Sequence, residues 1–234
     1  MTPAKPPLWV WVLLVAAIFG VSSAGTLLQQ IELDRLLKAS WRLQLTAVVL
    51  FPFAFFQWRQ QPSEVKEQMF EKRTLGILAL SGLALALHFG AWGASLQYTT
   101  LTHSLLFVTA HPLIVVAGMF ILGIVLTGVR QPTHRELFGA MIGFAGAALT
   151  LLDEGTQQGD NTVTLLGDSL ALLGAFTVVG YIVCGRILRA WMPIFLYAFP
   201  VTLLAAVLLL PASMLVESDY ATYGVFGWLD AAFF

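Results

Sequence analysis

The chain has 234 residues, of which 58% are hydrophobic and only 11% are charged, and its mean hydropathy is +0.82. A soluble globular domain has about 45–50% apolar and about 25% charged residues, so an ordinary soluble enzyme and a disordered chain are excluded. The net charge of −1 and the single cysteine argue against a nucleic-acid binder, a disulfide framework and a multi-cysteine metal site. This composition indicates a membrane protein.

Hydrophobic runs that reach or approach membrane-spanning length recur along the chain. A hydrocarbon core about 30 Å thick needs roughly 20 apolar residues in a helix. The runs are Trp9–Leu28, Leu37–Phe56, Leu75–Gln97, Leu101–Val125, Phe138–Leu152, Leu165–Leu188 and Met192–Leu215. They predict seven transmembrane helices, and Gly224–Phe234 is predicted as the start of an eighth. Strands of a membrane barrel would alternate apolar and polar residues, so the predicted fold class is an all-α polytopic membrane protein.

The lysines and arginines predict the orientation of these spans, because they favour cytoplasmic loops. With a cytoplasmic amino terminus, nine of them fall in inner loops and two in outer loops. The charged loop Gln57–Arg73 is then cytoplasmic, and the acidic loop Asp153–Thr164 lies outside. A cleaved signal peptide at Trp9–Leu28 is the less favoured alternative, since the apolar part of such a peptide has about 7–15 residues.

A weak internal repeat relates the first and sixth predicted spans. Ala16–Gly20 is similar to Leu173–Thr177, and Pro52 near the end of the second span is matched by Pro211 near the end of the seventh. The aligned positions lie 157 and 159 residues apart, so the register nearly holds. Because an odd number of helices forms each repeat, the two copies would have opposite membrane orientations, as in many transporters.

Short motifs in and near the predicted spans resemble one known family. The motifs are Ala39-Ser40-Trp41-Arg42-Leu43, Leu96-Gln97-Tyr98-Thr99, His111-Pro112-Leu113, Gly139-Ala140-Met141-Ile142-Gly143 and Leu166-Gly167-Asp168-Ser169-Leu170. Their order and spacing resemble the EamA-type members of the drug/metabolite transporter superfamily over nearly the whole chain. The resemblance implies ten helices in two inverted five-helix repeats, which move small metabolites through a central cavity.

The chain differs from this family pattern in its second half. The resemblance implies a first repeat over residues 1–153 and a second repeat over 154–234 that holds two complete helices and the start of a third. We therefore expect either a fragment of a ten-helix protein or a partner, such as a second copy, that supplies the missing helices.

Two histidines within the spans are the main candidate site residues. His88 and His111 lie equally far from a turn near Thr99 and Thr100, which predicts that both are near the middle of the membrane. Ionisable residues at this depth usually face the interior of the bundle, and histidine exchanges protons near neutral pH. The pair could therefore bind substrate or protons, with Trp92 on the face of His88. Alternatively, each imidazole only joins helices through a hydrogen bond.

Further polar residues complete the predicted substrate path. Arg42 lies about 9 Å inside the outer end of the second span, where it could attract an anionic group or extend back to the headgroups. Ser22 and Thr26 form a polar stripe that lines a vestibule or bonds to another helix. Asp168 is interpreted mainly as an acid in the first turn of a helix.

Glycines and prolines give structural rather than chemical predictions. Gly139 and Gly143 have the spacing of close helix packing, and Pro112 and Pro200 should kink or loosen their spans. Gly167-Asp168-Ser169-Leu170 spells a serine hydrolase tetrapeptide, but no histidine follows position 134 to act as its base. We therefore predict no catalytic residue, metal site or cofactor.

The leading functional prediction is a transporter of small metabolites or drugs that works by alternating access, with proton coupling as an option. A non-transporting fragment or accessory membrane subunit is the main alternative. A seven-helix receptor is disfavoured because the amino terminus is predicted inside and the seventh span lacks a lysine for retinal. The predicted partners are the lipid bilayer and an unidentified small substrate.

Overall fold

The computed structural model of the protein describes residues 7–29, 35–125, 131–149 and 163–216. The helices in these ranges are α1 (Leu8–Gln29), α2 (Arg35–Gln60), α3 (Ser63–Met69), α4 (Lys72–Tyr98), α5 (Leu101–Thr109), α6 (His111–Val125), α7 (His134–Leu149), α8 (Leu165–Leu188) and α9 (Ile194–Val216). All the regular structure described is helical, so the all-α prediction is confirmed.

Five segments are long and apolar enough to cross a membrane. They are Leu36–Gln60, Lys72–Tyr98, Leu101–Ile121, Leu165–Leu188 and Ile194–Met214. These segments match the second, third, fourth, sixth and seventh predicted spans. The first predicted span falls on α1, and the fifth on α7, which has only 16 residues; both stay predictions as membrane crossings. The predicted eighth helix lies outside the described residues.

The chain divides into two compact units. One unit contains Met1–Asp34 and Ser218–Phe234, and its described part is α1, an apolar helix. The other unit, Arg35–Glu217, contains α2 to α9. In this unit α4 packs along α8 and α9, and α2 packs along α9. The proposed boundary between repeats, near residue 153, stays a prediction.

The core of the larger unit is built mainly from aliphatic residues of α2, α4 and α9, together with the end of α8 and the turn that follows it. Its fully or nearly fully buried members include Leu43, Leu85, Leu188, Met192, Val201 and Ala205. Two buried polar contacts hold the same helices together. The Ser81 and Tyr197 hydroxyls lie 2.6 Å apart, and Gln57 Oε1 accepts a hydrogen bond of 3.0 Å from the Phe195 amide at the start of α9. These contacts join α9 to α4 and to α2.

Small residues on α8 allow it to approach α4 closely. Gly167 and Gly174 are both buried. A Cβ atom on Gly167 would lie 2.7 Å from the Tyr98 carbonyl carbon, and one on Gly174 would lie 3.4 Å from the His88 carbonyl oxygen. Contact between backbones increases van der Waals attraction where lipid provides no hydrophobic driving force. These glycines therefore define the seam between α4 and α8.

The glycines predicted to mediate packing on α7 behave differently. A Cβ atom on Gly139, Gly143 or Gly146 would meet no atom within 4 Å. The close packing predicted for Gly139 and Gly143 is therefore not found within the described part of the chain. Because glycine spacing identifies a face suited to close approach but not its neighbour, the sequence pattern alone could not distinguish α7 from α8.

Candidate functional site

His88 is held near the middle of α4 by a contact with α8. It lies ten residues before the end of α4 at Tyr98, which corresponds to about 15 Å at about 1.5 Å per residue. Its Nδ1 lies 2.8 Å from the carbonyl oxygen of Gly174. A carbonyl oxygen can only accept, so Nδ1 of the neutral ring carries the proton and Nε2 keeps a lone pair. His88 therefore joins α4 to α8 through one ring nitrogen and leaves the other outside this contact, and its role in binding substrate or protons stays a prediction.

An aromatic cluster surrounds this histidine. The rings of His88 and Trp92 are nearly parallel, with centroids 6.5 Å apart. The centroid of the Phe89 ring lies 5.0 Å from that of His88 and 6.3 Å from that of Trp92. We call His88, Phe89 and Trp92 the α4 aromatic face. Trp92 Nε1 is buried and has no hydrogen-bond partner in the part of the chain that the structure describes.

Arg42 of α2 lies against the α4 aromatic face. Its guanidinium carbon lies 5.4 Å from the centroid of the Phe89 ring, within cation–π distance. The side chain is half-buried, and among the described residues no carboxylate pairs with it. Both roles predicted for Arg42, attraction of an anionic group and extension to the headgroups, stay predictions.

His111 lies where the fourth span is interrupted. Helix α5 ends at Thr109, and α6 begins at His111. Pro112 has no N–H to donate to the Val108 carbonyl, and His111 Nδ1 lies 3.3 Å from this oxygen instead. The predicted effect of Pro112 is therefore confirmed, whereas α9 continues without interruption through Pro200.

The predicted site residues are brought together only in part. Arg42 contacts Phe89, the neighbour of His88 on α4, whereas His111 contacts the Val108 carbonyl, and among the described residues no hydrogen bond or ring contact joins its ring to that of His88. Trp92 stacks on His88 in the same region. The side chains of Ser22 and Thr26 lie outside the described residues, so their predicted place on the substrate path stays a prediction.

A second polar cluster, which the sequence analysis did not predict, joins the α4–α5 turn to the start of α8. Thr99 Oγ1 donates a hydrogen bond of 2.8 Å to Asp168 Oδ1, and His103 Nδ1 lies 3.4 Å from Asp168 Oδ2. Thr164 Oγ1 also donates to the Tyr98 carbonyl oxygen. The sequence did hold a signal for this cluster. Asp168 and His103 lie at the starts of the sixth and fourth predicted spans, and both starts are predicted on the outer side of the membrane.

The ionisable groups do not form a metal centre within the described ranges, where no group of three or more histidine, cysteine, aspartate or glutamate residues could hold an ion. No protein-family model, curated protein or solved structure matches the chain. The candidate site consists of Arg42, the α4 aromatic face and the interrupted fourth span.

Proposed function

We propose that this membrane protein transports small metabolites or drugs by alternating access, with the inverted-repeat architecture of the EamA-type transporters. The observation that carries the proposal is the interruption of the fourth span beside ionisable residues. Helix α5 has nine residues, so the interruption at Ala110 lies about 14 Å from the start of the span. Transporters form their substrate sites at this depth from discontinuous helices.

The interruption also supports a mechanism for alternating access. Without the hydrogen bond that Pro112 cannot make, α5 and α6 can change their mutual angle at a lower energetic cost than an unbroken helix. His111 lies at this joint, and His88 lies on the neighbouring α4. Each neutral ring uses Nδ1 toward a carbonyl and leaves Nε2 to accept a proton or a substrate hydrogen. Proton coupling is the option that this arrangement favours.

The test is uptake by liposomes that contain the purified full chain. A library of cationic, neutral and anionic metabolites is added outside, and internal compounds are measured by mass spectrometry while an internal dye reports pH. We expect at least one compound to accumulate above the level in protein-free liposomes. His88→Ala and His111→Ala should alter the pH dependence of its uptake, whereas His134→Ala, at an exposed position on α7, should not. Absence of accumulation for every compound contradicts transport.

The exposed face of α7 favours a second candidate, an accessory membrane subunit. Among the described residues no atom would meet a Cβ on Gly139, Gly143 or Gly146 within 4 Å, and small residues four apart, such as Gly139 and Gly143, are typical of helix pairs in membranes. For this candidate we expect a stable complex in nanodiscs and no uptake by the chain alone. A monomeric chain that accumulates a metabolite excludes it.

A further inference from the structure

We propose that Arg42 and Trp92 form an oxyanion site, and that its ligand is the carboxylate of a small soluble organic anion. This inference rests on the proposed function and names the substrate class of the transporter. It depends on hydrogen-bond donors beside the α4 aromatic face that have no acceptor among the described residues.

The first observation is the unpaired cation. Arg42 is half-buried between α2 and α4, and its guanidinium contacts the Phe89 ring without a carboxylate partner in the described ranges. A charge inside the hydrocarbon region is costly and is normally paired or directed to a substrate path. The ring contact leaves the N–H groups at the edge of the guanidinium available, and their fork matches the two oxygens of a carboxylate.

The second observation is the indole of Trp92. Its Nε1 donor is buried without a partner in the same part of the chain, although buried donors are nearly always satisfied. The Arg42 guanidinium carbon and the Trp92 ring centroid lie 5.4 Å and 6.3 Å from the centroid of Phe89, so both donors belong to side chains that pack beside the same ring. Two donors, one of them charged, favour a ligand that brings acceptor oxygens and a negative charge.

The third observation concerns the remaining surface of the cluster. His88, Phe89 and Trp92 present flat rings, which suit an organic body attached to the carboxylate. His88 Nε2 can accept one hydrogen from such a ligand because Nδ1 is committed to Gly174. The combination favours an organic carboxylate over a bare inorganic anion.

The probes for the test are sodium benzoate and benzamide, which have similar shapes but differ in charge. Binding to the full chain in a neutral detergent is measured by calorimetry. We expect saturable binding of benzoate and at least tenfold weaker binding of benzamide. Arg42→Gln should weaken benzoate binding about tenfold or more, as expected for a charge-assisted bond. Trp92→Phe, which keeps the ring but removes the donor, should weaken it severalfold.

Arg59→Gln is the matched control, because Arg59 also lies on α2 over a phenylalanine ring, 5.7 Å from the centroid of Phe55, but is exposed. It should leave benzoate binding unchanged, and Arg42→Lys should retain part of it. Each variant is first checked for an unchanged helical spectrum and monodispersity. Equal binding of benzoate and benzamide, or equal effects of the Arg42 and Arg59 variants, overturns the proposal.

A lipid headgroup is the other source of an oxyanion at this depth. Short-chain phosphatidylglycerol and phosphatidylcholine are therefore titrated in parallel. Binding of phosphatidylglycerol that depends on Arg42, without binding of benzoate, overturns the proposal in favour of a lipid site. The liposome assay separates the two hypotheses. Uptake of only neutral or cationic compounds would support transport but contradict the anion site. Arg42-dependent binding of benzoate without uptake of any compound would support the anion site but contradict transport.

Discussion

At the scale of single residues, Gly167 and Gly143 show that the same residue type has different roles on two helices. A Cβ atom on Gly167 would lie 2.6 Å from Thr99 Cβ and 2.8 Å from the Thr99 amide nitrogen, whereas one on Gly143 would meet no atom of the described residues within 4 Å. Backbone atoms cannot rotate away as the end of a flexible side chain can. The absence of a side chain is therefore required at Gly167 and only permitted at Gly143.

We expect Gly167→Ala to lower the free energy of unfolding by about 1–3 kcal/mol, the usual cost of overpacking. Gly143→Ala should change it by about 1 kcal/mol at most, in the stabilising direction, because alanine favours helix more than glycine. Unfolding in mixed micelles, followed by circular dichroism, measures both. Equal losses for the two variants would show that the α4–α8 seam is looser than the structure indicates.

At the scale of elements, the interrupted fourth span differs from the other helices that contain proline. Helix α2 continues through Pro52, and α9 continues through Pro200, whereas α5 and α6 separate at Ala110. At the interruption one donor replaces another: the Val108 carbonyl oxygen accepts from Nδ1 of the His111 ring, at 3.3 Å, in place of the amide that Pro112 lacks. A side chain thus compensates for the amide that proline lacks.

Pro112→Ala should restore the amide donor to the Val108 carbonyl and join α5 to α6 as one helix. We expect the free energy of unfolding to rise by about 0.5–1.5 kcal/mol, the net value of one hydrogen bond. Any transport activity should fall, because the joint that permits bending is removed. Uptake by liposomes and unfolding in micelles provide the two measurements. Pro52→Ala is the control, and a larger loss of uptake from this control would contradict a special role for the interruption.

At the scale of the whole molecule, the orientation in the membrane stays a prediction that labelling can test. Cys184 is buried, and Cys184→Ala provides a background without thiols. Ser63→Cys introduces a thiol on exposed α3, and Gln157→Cys introduces one in the predicted outer loop. An impermeant maleimide on intact cells should label position 157 and reach position 63 only after permeabilisation. The opposite pattern would reverse the orientation.

The sequence predicted much of the fold because span length and hydropathy are local properties. It also predicted a position for His88 near the middle of its helix, where the structure has it, while the depth of His88 in the membrane stays a prediction. It could not predict that Gly174 would be the hydrogen-bond partner of His88, or that Asp168 would contact Thr99 and His103. Such pairs depend on the rotation of each helix about its axis, which a nearly uniform apolar surface does not fix.

The hydrogen bond between His88 and Gly174 has a consequence for biosynthesis. Its two residues are 86 positions apart, and a ribosome adds about 5–20 residues per second, so the acceptor is made roughly 4–17 s after the donor. During this interval α4 is already available for insertion but lacks the helix that satisfies its imidazole. Until α8 is made, the polar ring of His88 lacks the carbonyl acceptor that it has in the folded chain. Slower translation between α4 and α8 would lengthen the period in which membrane proteases can recognise the unfinished chain.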